Sequence, residues 1–330
     1  MAPPGRRGAG VTRPPHPPGT SYTRTQRRVR TAYSNLIDGW FAAGEEQPAR
    51  ACVDLAVQQG VWEQPLQRDR DHVDGLTAQP LPDPGQFWFV HHLERHFAEI
   101  SAEIRAVLGG VDDPVRPTVE DDWLLRAGSW QQAYLFREGE WQEDVCARLP
   151  VTQAILAEIP EMTTLSPGVI LLSRLAPGTH IMPHCGSTNA VLRVHLPIIP
   201  AEGASIRVGT ETSTWEEGRC LVFDDSFEHE VWHRGEEDRV VLIMDVLHPG
   251  VDAAHRAALL ANRPTVQQRV TAFLRDRGLA EVRVVDGRLQ CTADGSTAHK
   301  VGRYLDVLGV PGVRVSADGS WRPFRAGVGD

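Results

Sequence analysis

Between Val169 and His248 the chain breaks into short runs of β-branched and aliphatic residues, separated by turns rich in glycine, proline and acidic residues. The runs read VILLSRL, NAVLRVHLPII, ASIRV, RCLVFDD, HEVW and RVVLIMDVLH, and the turns read APGT, PAEG, EEG and RGEED. Short strands at such intervals are typical of an antiparallel sandwich or barrel. The sequence therefore predicts a β core of the jelly-roll type over residues 165–250, with room for a small ligand at one mouth.

Composition argues against three classes of protein: nucleic-acid binders, membrane-spanning proteins and secreted disulfide-rich proteins. The 330 residues carry a formal net charge of −9, which argues against nucleic acid as a partner because nucleic-acid binding needs a basic face. No apolar run approaches the roughly 18 residues of a membrane helix, and the first thirty residues lack the apolar centre of a secretory signal. Five scattered cysteines disfavour a disulfide framework, so we expect a cytoplasmic protein.

Three parts of the chain differ in pattern. Residues 1–30 contain no acidic residue and are expected to be a disordered basic tail, either without a task or as an electrostatic contact. Residues 31–262 form the main domain, in which apolar residues at three- and four-residue spacing indicate helices before the β core, for example over 44–59 and 93–108.

Residues 263–330 contain a weak internal repeat. The pattern Phe-Leu, Gly, Val-Arg-Val and Asp-Gly between residues 273 and 287 recurs with Tyr-Leu between residues 304 and 319. Each copy predicts a helix followed by a hairpin that turns at Asp-Gly. This small C-terminal α/β module either caps the barrel or docks a peptide or protein partner through an edge strand.

Two histidines and an arginine carry the first chemical signal. His184 and His229 lie beside strand-like runs and flank enough chain for a closed sheet to bring them together, and imidazole suits Fe(II). Arg239 lies on an apolar strand, where an inward charge is costly without an anionic partner. Because guanidinium binds carboxylate through two parallel hydrogen bonds, these residues indicate an iron site beside an anionic cosubstrate.

The third ligand of a usual non-haem iron site is missing. Such a site adds a carboxylate to two histidines, but the residue two after His184 is Gly186. Cys185 is a poor replacement, since neighbours on a strand point to opposite faces. Asp225 could hold a metal-bound water or the ring of His229, or could be a turn aspartate that bonds to its own backbone.

Further polar residues lie on the predicted strands. Arg193 and His195 alternate within one strand and so share a face, which is either a second carboxylate contact or the polar outer face of the sheet. Ser173 could donate its hydroxyl to the same anion.

Residues 170–249 resemble the aspartyl/asparaginyl β-hydroxylase family, and fainter similarity extends upstream to about residue 50. The matching text is LAPGTHIMPHCGSTN (175–189), LRVHL (192–196), TWEEG (214–218), FDDSFEHEVW (223–232) and DVLHP (245–249). The resemblance implies a double-stranded β-helix fold, cupin-like and mainly β with flanking helices. It also implies an Fe(II) site made by His184 and His229 without a carboxylate ligand.

Other site residues follow from the resemblance. Arg239 and Ser173 match residues that hold the distal carboxylate of 2-oxoglutarate, and Arg193 and His195 match residues near its iron-binding end. On the substrate side, Gln132 matches a glutamine, and Arg126, displaced by one position, takes the place of an arginine. Peptide-acting members carry a further substrate arginine where this chain has Val191.

The resemblance implies an enzyme that uses Fe(II), O2 and 2-oxoglutarate, releases succinate and CO2, and oxidises an unactivated carbon. We expect β-hydroxylation of an Asp or Asn residue, free, in a peptide or in a natural-product precursor. The alternatives are hydroxylation of a lipid, free amino acid or other small metabolite, chlorination through the missing ligand position, and a non-catalytic cupin-like binding protein.

Overall fold

The computed structural model describes residues 24–118, 122–163, 165, 168–253 and 256, together with four short strands near the C-terminus. The helices are α1 (Arg24–Ala42), α2 (Glu46–Gln58), α3 (Trp88–Arg95), α4 (Phe97–Val107), α5 (Glu143–Cys146), α6 (Pro150–Ala157) and α7 (Pro160–Thr163). None of these helices is long and apolar enough to cross a membrane.

The strands are short, as the sequence predicts. They are β1 (Arg116–Pro117), β2 (Leu125–Ala127), β3 (Trp130–Arg137), β4 (Glu140–Trp141), β5 (Val169–Leu175), β6 (His180–His184), β7 (Val191–Ile199), β8 (Ala204–Val208), β9 (Glu211–Ser213), β10 (Leu221–Phe223), β11 (His229–His233), β12 (Arg239–Leu247), β13 (Arg283–Val285), β14 (Arg288–Gln290), β15 (Val313–Val315) and β16 (Trp321–Pro323).

Two antiparallel sheets form the core. The major sheet has the order β1-β3-β5-β12-β7-β10, with β4 beside β3, and the minor sheet has the order β2-β6-β11-β8-β9. Their facing sides share one apolar cluster, to which the major sheet contributes Leu171 and Val241 and the minor sheet Ile206 and Val231. The prediction of a mainly β, jelly-roll-type core with flanking helices is therefore confirmed.

The core begins earlier in the chain than predicted. Strands β1 to β4 come from residues 116–141, a stretch whose pattern we read as mainly helical. The reason is visible in β3, which pairs with β5 along its length. Trp130 and Tyr134 of β3 pack on the cluster between the sheets, whereas Ala133 and Leu135 join the cluster on the outer face. Both faces of β3 are covered, and this obscures the polar–apolar alternation by which a strand is recognised.

Alternation along β7 likewise separates two cores. Leu192, Val194 and Leu196 belong to the large cluster that helices α3, α4 and α6 cover on the outer face of the major sheet. Successive side chains of a strand point to opposite faces, so Arg193 and His195 point between the sheets. The interior reading of these two residues is thus correct, and the outer-face alternative is excluded.

Helices α1 and α2 pack on each other through Ile37, Val53 and the nearby Trp62. The tail that we predicted over residues 1–30 is too long, because α1 begins at Arg24. Arg30 is 4% exposed and binds the buried Asp69 at 3.7 Å, a contact that no local pattern could reveal. Residues 1–23 lie outside the described part of the chain.

A buried carboxylate joins this helical layer to the minor sheet. Glu228 is fully buried and binds Arg50 of α2 at 2.6 Å, Arg68 at 2.8 Å and Arg207 of β8 at 2.9 Å. Burial alone would raise its pKa, but hydrogen bonds and positive charge from the three arginines lower the pKa of Glu228 to about 2. The backbone next to His229 is therefore anchored from three directions.

Near the C-terminus, β13 pairs with β14 and β15 pairs with β16, both antiparallel, so each copy of the repeat contributes one two-stranded sheet. The helices that we predicted in this module lie outside the described residues. The boundaries of the three parts, 1–30, 31–262 and 263–330, stay a prediction, apart from the earlier start of α1.

Replacing Glu228 by Gln should lower the free energy of unfolding by about 3–5 kcal/mol, because buried guanidinium groups lose their counter-ion. Chemical denaturation at neutral pH measures the change. The matched control is Glu217→Gln, which removes an exposed ion pair with Arg105 and should change stability by less than about 0.5 kcal/mol. Equal effects of the two substitutions would contradict the anchoring role.

Candidate active site

The two histidines that the sequence singles out lie opposite each other on paired strands. His229 of β11 is the direct partner of His184 on β6, and their ring centroids are 4.0 Å apart. Two residues further along β11, Val231 faces Ile181, which is three residues from His184 on β6. A β-bulge in β6 accounts for the extra residue and turns His184 to the same interior face as Ile181.

Each imidazole is fixed by its own backbone. Nδ1 of His184 bonds to the carbonyl of Met182 at 2.8 Å, and Nδ1 of His229 bonds to the carbonyl of Phe227 at 3.0 Å. Because a carbonyl oxygen only accepts, both Nδ1 atoms carry a hydrogen, so in the neutral form of either ring the lone pair is on Nε2. Burial lowers the pKa of His229 to about 4, so this ring is neutral at pH 7. Neutral imidazoles with backbone-fixed tautomers are the form that binds a divalent metal.

Among the described residues, no third protein ligand joins the two rings. A Cβ at Gly186 would overlap the carboxylate of Asp225, whose own backbone carbonyl accepts a hydrogen bond from Gly186 at 2.6 Å. Within the described ranges, no group of three or more His, Cys, Asp or Glu side chains could hold a metal ion. Asp225 therefore fills the volume that a side chain at position 186 would need.

Arg193 lies between two carboxylates. It bonds to Asp245, its neighbour on β12, at 2.9–3.0 Å, and its guanidinium is 3.2 Å from Asp225. Burial raises the pKa of Asp225, and the charge of Arg193 opposes that rise. The structure thus brings Arg193 and Asp225 together beside Gly186, close to the first histidine.

At the other end of the interior, Arg239 is 2% exposed and lies 4.0 Å over the ring of Trp215. Its Nε and Nη2 atoms are buried and have no hydrogen-bond partner among the residues that the structure describes. Burial lowers the pKa of Arg239 to about 9, so the side chain is still charged at pH 7. Such a charge without an acceptor indicates a site built for an anion.

His195 adds a third unpartnered donor. The indole Nε1 of Trp215 can only donate, and it bonds to Nδ1 of His195 at 3.1 Å. Burial, followed by the charge of Arg239, lowers the pKa of His195 well below its usual range, so the ring is neutral and its hydrogen is on Nε2. That Nε2 is also buried without a partner in the described part of the chain. Arg239 Nε, Arg239 Nη2 and His195 Nε2 thus need acceptors that an anionic ligand such as a carboxylate can supply.

One aromatic ring separates the histidine pair from these donors. The ring centroid of Phe223 is 5.4 Å from that of His229 and 4.9 Å from that of His195. The two halves of the site therefore belong to one interior space.

Ser173 and Gln132 lie on neighbouring strands of the major sheet. Ser173 is opposite Val241 on one side and Gln132 on the other, and its Oγ accepts a hydrogen bond from Trp130 at 3.0 Å. The hydroxyl keeps its own hydrogen to donate. Gln132 accepts through Oε1 from Thr118 at 2.9 Å. Both residues are buried, on the interior side of their strands.

Arg126 is not brought together with this interior group. It is exposed on β2 and lines a cavity with His180 and Trp232, which lie on the outer face of the minor sheet. Sequence reasoning also missed Trp215 and Phe223, which orient His195 and join the two halves. The only signal for them was their place in the runs TWEEG and FDDSFEHEVW, where periodicity assigns no role.

Known proteins resemble the part of the chain that contains the two sheets and the histidine pair. Residues 94–249 match the family model described as Aspartyl/Asparaginyl beta-hydroxylase. Aspartyl/asparaginyl beta-hydroxylase of Homo sapiens is 39% identical over 233 residues, which cover 69% of this chain and 30% of the human protein. Ornithine lipid ester-linked acyl 2-hydroxylase of Rhizobium tropici is 32% identical over 182 residues, which cover 53% of this chain and 62% of that protein. The chain thus spans less than two thirds of either relative.

Replacing Arg239 by Met should leave the free energy of unfolding unchanged or raise it by up to about 3 kcal/mol, because the substitution removes a buried charge without a counter-ion. Added 2-oxoglutarate should raise the melting temperature of the parent chain but not that of the variant. Calorimetry with and without 2-oxoglutarate measures both effects. The control Arg219→Met, at an exposed arginine, should keep the response to 2-oxoglutarate. A variant that is clearly destabilised, or that still responds, would refute the anion site.

Proposed function

We propose that this chain, which belongs to the aspartyl/asparaginyl β-hydroxylase family through residues 94–249, is a hydroxylase that uses Fe(II), O2 and 2-oxoglutarate. One observation carries the proposal. Two imidazoles, each with Nδ1 held by a backbone carbonyl, face each other, and beyond Phe223 three buried donors of Arg239 and His195 have no acceptor among the described residues. A metal that takes imidazole nitrogens and an anion that needs N–H donors fit these two groups.

His184 and His229 would hold the iron through Nε2, since Nδ1 of each ring is held by a backbone carbonyl. Iron bound there supplies activation of O2 coupled to the conversion of 2-oxoglutarate into succinate and CO2, which drives oxidation of the substrate. With only two protein ligands, more coordination positions stay open to small molecules than in a site that has a third carboxylate.

Arg239 and Ser173 would bind the distal carboxylate of 2-oxoglutarate. The planar guanidinium offers two N–H groups to two oxygens, and the serine hydroxyl offers a further hydrogen. Neutral His195 would donate through Nε2 to the end of 2-oxoglutarate that binds iron, as the resemblance implies, and the bond from Trp215 keeps its hydrogen on that atom. These residues orient the cosubstrate and neutralise its charge in a space that excludes water.

Asp225 and Arg193 would act beside the iron. The carboxylate of Asp225 can accept a hydrogen bond from a water or from the substrate at the position next to Gly186, and Arg193 keeps that carboxylate oriented. The same negative charge argues against a halide at this position, so the chlorination alternative is disfavoured.

For the substrate, we favour the β-carbon of an Asp or Asn residue, free, in a peptide or in a natural-product precursor. The relatives named as aspartyl/asparaginyl β-hydroxylases support this class. Gln132, which is buried beside Ser173, would orient a polar side chain of the substrate.

A second candidate is an acyl chain or another apolar metabolite. Val191 stands where peptide-acting members carry an arginine, and it packs in an apolar cluster with Leu165, Leu247 and Val251. The relative in Rhizobium tropici is named as an acyl 2-hydroxylase of a lipid. An apolar wall at this position suits an acyl chain better than a carboxylate.

The test is release of succinate by the full chain with Fe(II), ascorbate and 2-oxoglutarate, in the presence of a panel of Asp- and Asn-containing peptides, free amino acids and acyl lipids. The accepted substrate should gain about 16 mass units, one oxygen atom. His229→Ala should reduce turnover by at least about a hundredfold, because a metal ligand is lost. His91→Ala, at an exposed histidine far from the pair in sequence, is the matched control and should keep full turnover.

Binding of 2-oxoglutarate without any succinate on the whole panel would favour the non-catalytic cupin-like alternative. Undiminished turnover in His229→Ala would overturn the assignment of that residue as a ligand.

A further inference from the structure

A cavity of about 490 Å³ lies on the outer face of the minor sheet, under the turn that joins α1 to α2. The helical side contributes Phe41 and Gly44, and the sheet contributes Arg126, His180 and Trp232. On β11, Glu230 and Trp232 line the cavity, whereas Val231 between them points to the interior between the two sheets. The minor sheet itself therefore separates this cavity from the interior site.

Among the residues that the structure describes, the charges around the cavity are paired except at one point. Arg207 binds Glu228 and Glu230, each at 2.9 Å, and Arg50 binds Glu228 and, more loosely at 3.7 Å, Glu46. Arg68 also binds Glu228. Both arginines that line the cavity with Arg126 are thus neutralised by carboxylates.

Arg126 has no hydrogen bond or ion pair with any residue that the structure describes. Its guanidinium lies beside the turn between α1 and α2, since a Cβ at Gly44 would lie 2.8 Å from its Nη2. Gly44 has a φ of +80°, which favours glycine, and the absence of a side chain there makes room for the guanidinium. A guanidinium that lines a cavity and has no acidic partner among the described residues favours an anionic ligand, above all a carboxylate.

An aromatic surface lies in the same cavity. The rings of His180 and Trp232 stack with centroids 5.7 Å apart and planes 14° apart, and Nε2 of His180 bonds to Glu230 at 2.7 Å. The exposed parts of such an aromatic pair can contact an apolar or aromatic group that lies beside a carboxylate. Peptides combine these two groups on neighbouring residues.

The cavity also touches the bulge that orients the first histidine. Met182 and Pro183 line it, and the carbonyl of Met182 holds Nδ1 of His184. A ligand in the cavity thus contacts the backbone that fixes one imidazole, although it cannot reach the imidazole itself through the sheet.

We propose that this cavity is a second binding site, for an acidic residue and its apolar neighbour in a peptide. The inference deepens the proposed function, since it gives a peptide substrate a contact remote from the residue that is oxidised. Arg126 binds the carboxylate, and the His180–Trp232 surface binds the neighbouring side chain.

The experiment titrates the full chain with acetyl-Glu-Phe-amide and with its isosteric control acetyl-Gln-Phe-amide, followed by NMR of the dipeptides. The acidic dipeptide should bind at least about tenfold more tightly than the control, and Arg126→Gln should remove that difference. Arg126→Lys, which keeps the charge but not the planar fork, should retain part of it. Arg219→Gln, at an exposed arginine outside the cavity, should bind as the parent does.

His229→Ala separates this site from the catalytic one. The variant should bind the acidic dipeptide as the parent does, even though its turnover is lost. If the chain releases no succinate but binds the acidic dipeptide through Arg126, the proposed function is wrong and the second binding site is supported. Equal binding of the two dipeptides, no binding of either, unchanged binding in Arg126→Gln, or loss of binding in His229→Ala would each overturn the inference.

Discussion

The register between β6 and β11 sets the face of the minor sheet to which each polar side chain of these two strands points. One extra residue in β6 lets His184 face His229 while Ile181 still faces Val231. Without the bulge, two positions three residues apart would point to opposite faces, and the imidazole would leave the interior. The same alternation sends Glu230 and Trp232 to the outer face, where they line the cavity. A single pairing of strands therefore places the two imidazoles on one side of the sheet and the cavity on the other.

The structure contains two kinds of buried charge. One kind is paired and stabilises the fold, and the other lacks a partner among the described residues and indicates a ligand site. Glu228 has three arginine partners, and its surroundings lower its pKa to about 2, as expected of a group that stabilises the fold. Arg239 is equally buried, yet two of its nitrogens have no acceptor in the described part of the chain. A fold tolerates such a group only where a ligand supplies the missing partner, because an unpaired buried charge is costly. The proposed anion site thus rests on donors that lack an acceptor among the described residues.

The sequence predicted what depends on local pattern. Strands β5, β7, β8, β10, β11 and β12, the apolar core and the interior position of Arg239 follow from alternation and burial. The pattern does not predict β6 or β9. Whether Arg193 and His195 face inward could not be decided from one strand, because it depends on which face the helices cover. The four strands between residues 116 and 141 were not predicted, because both faces of β3, the longest of them, are buried. The bulge in β6, the bond from Trp215 to His195 and the location of Arg126 depend on partners distant in sequence, which no window along the chain contains.

The central claim is that two imidazoles, and no other protein ligand, hold one ferrous ion at the interior end of β6 and β11. X-ray absorption of the full chain loaded with Fe(II) and 2-oxoglutarate tests it most directly. The account predicts a first shell with two imidazole nitrogens and otherwise oxygen, and loss of one nitrogen in His184→Ala. A sulfur ligand, a third imidazole, or a shell unchanged in His184→Ala would contradict it.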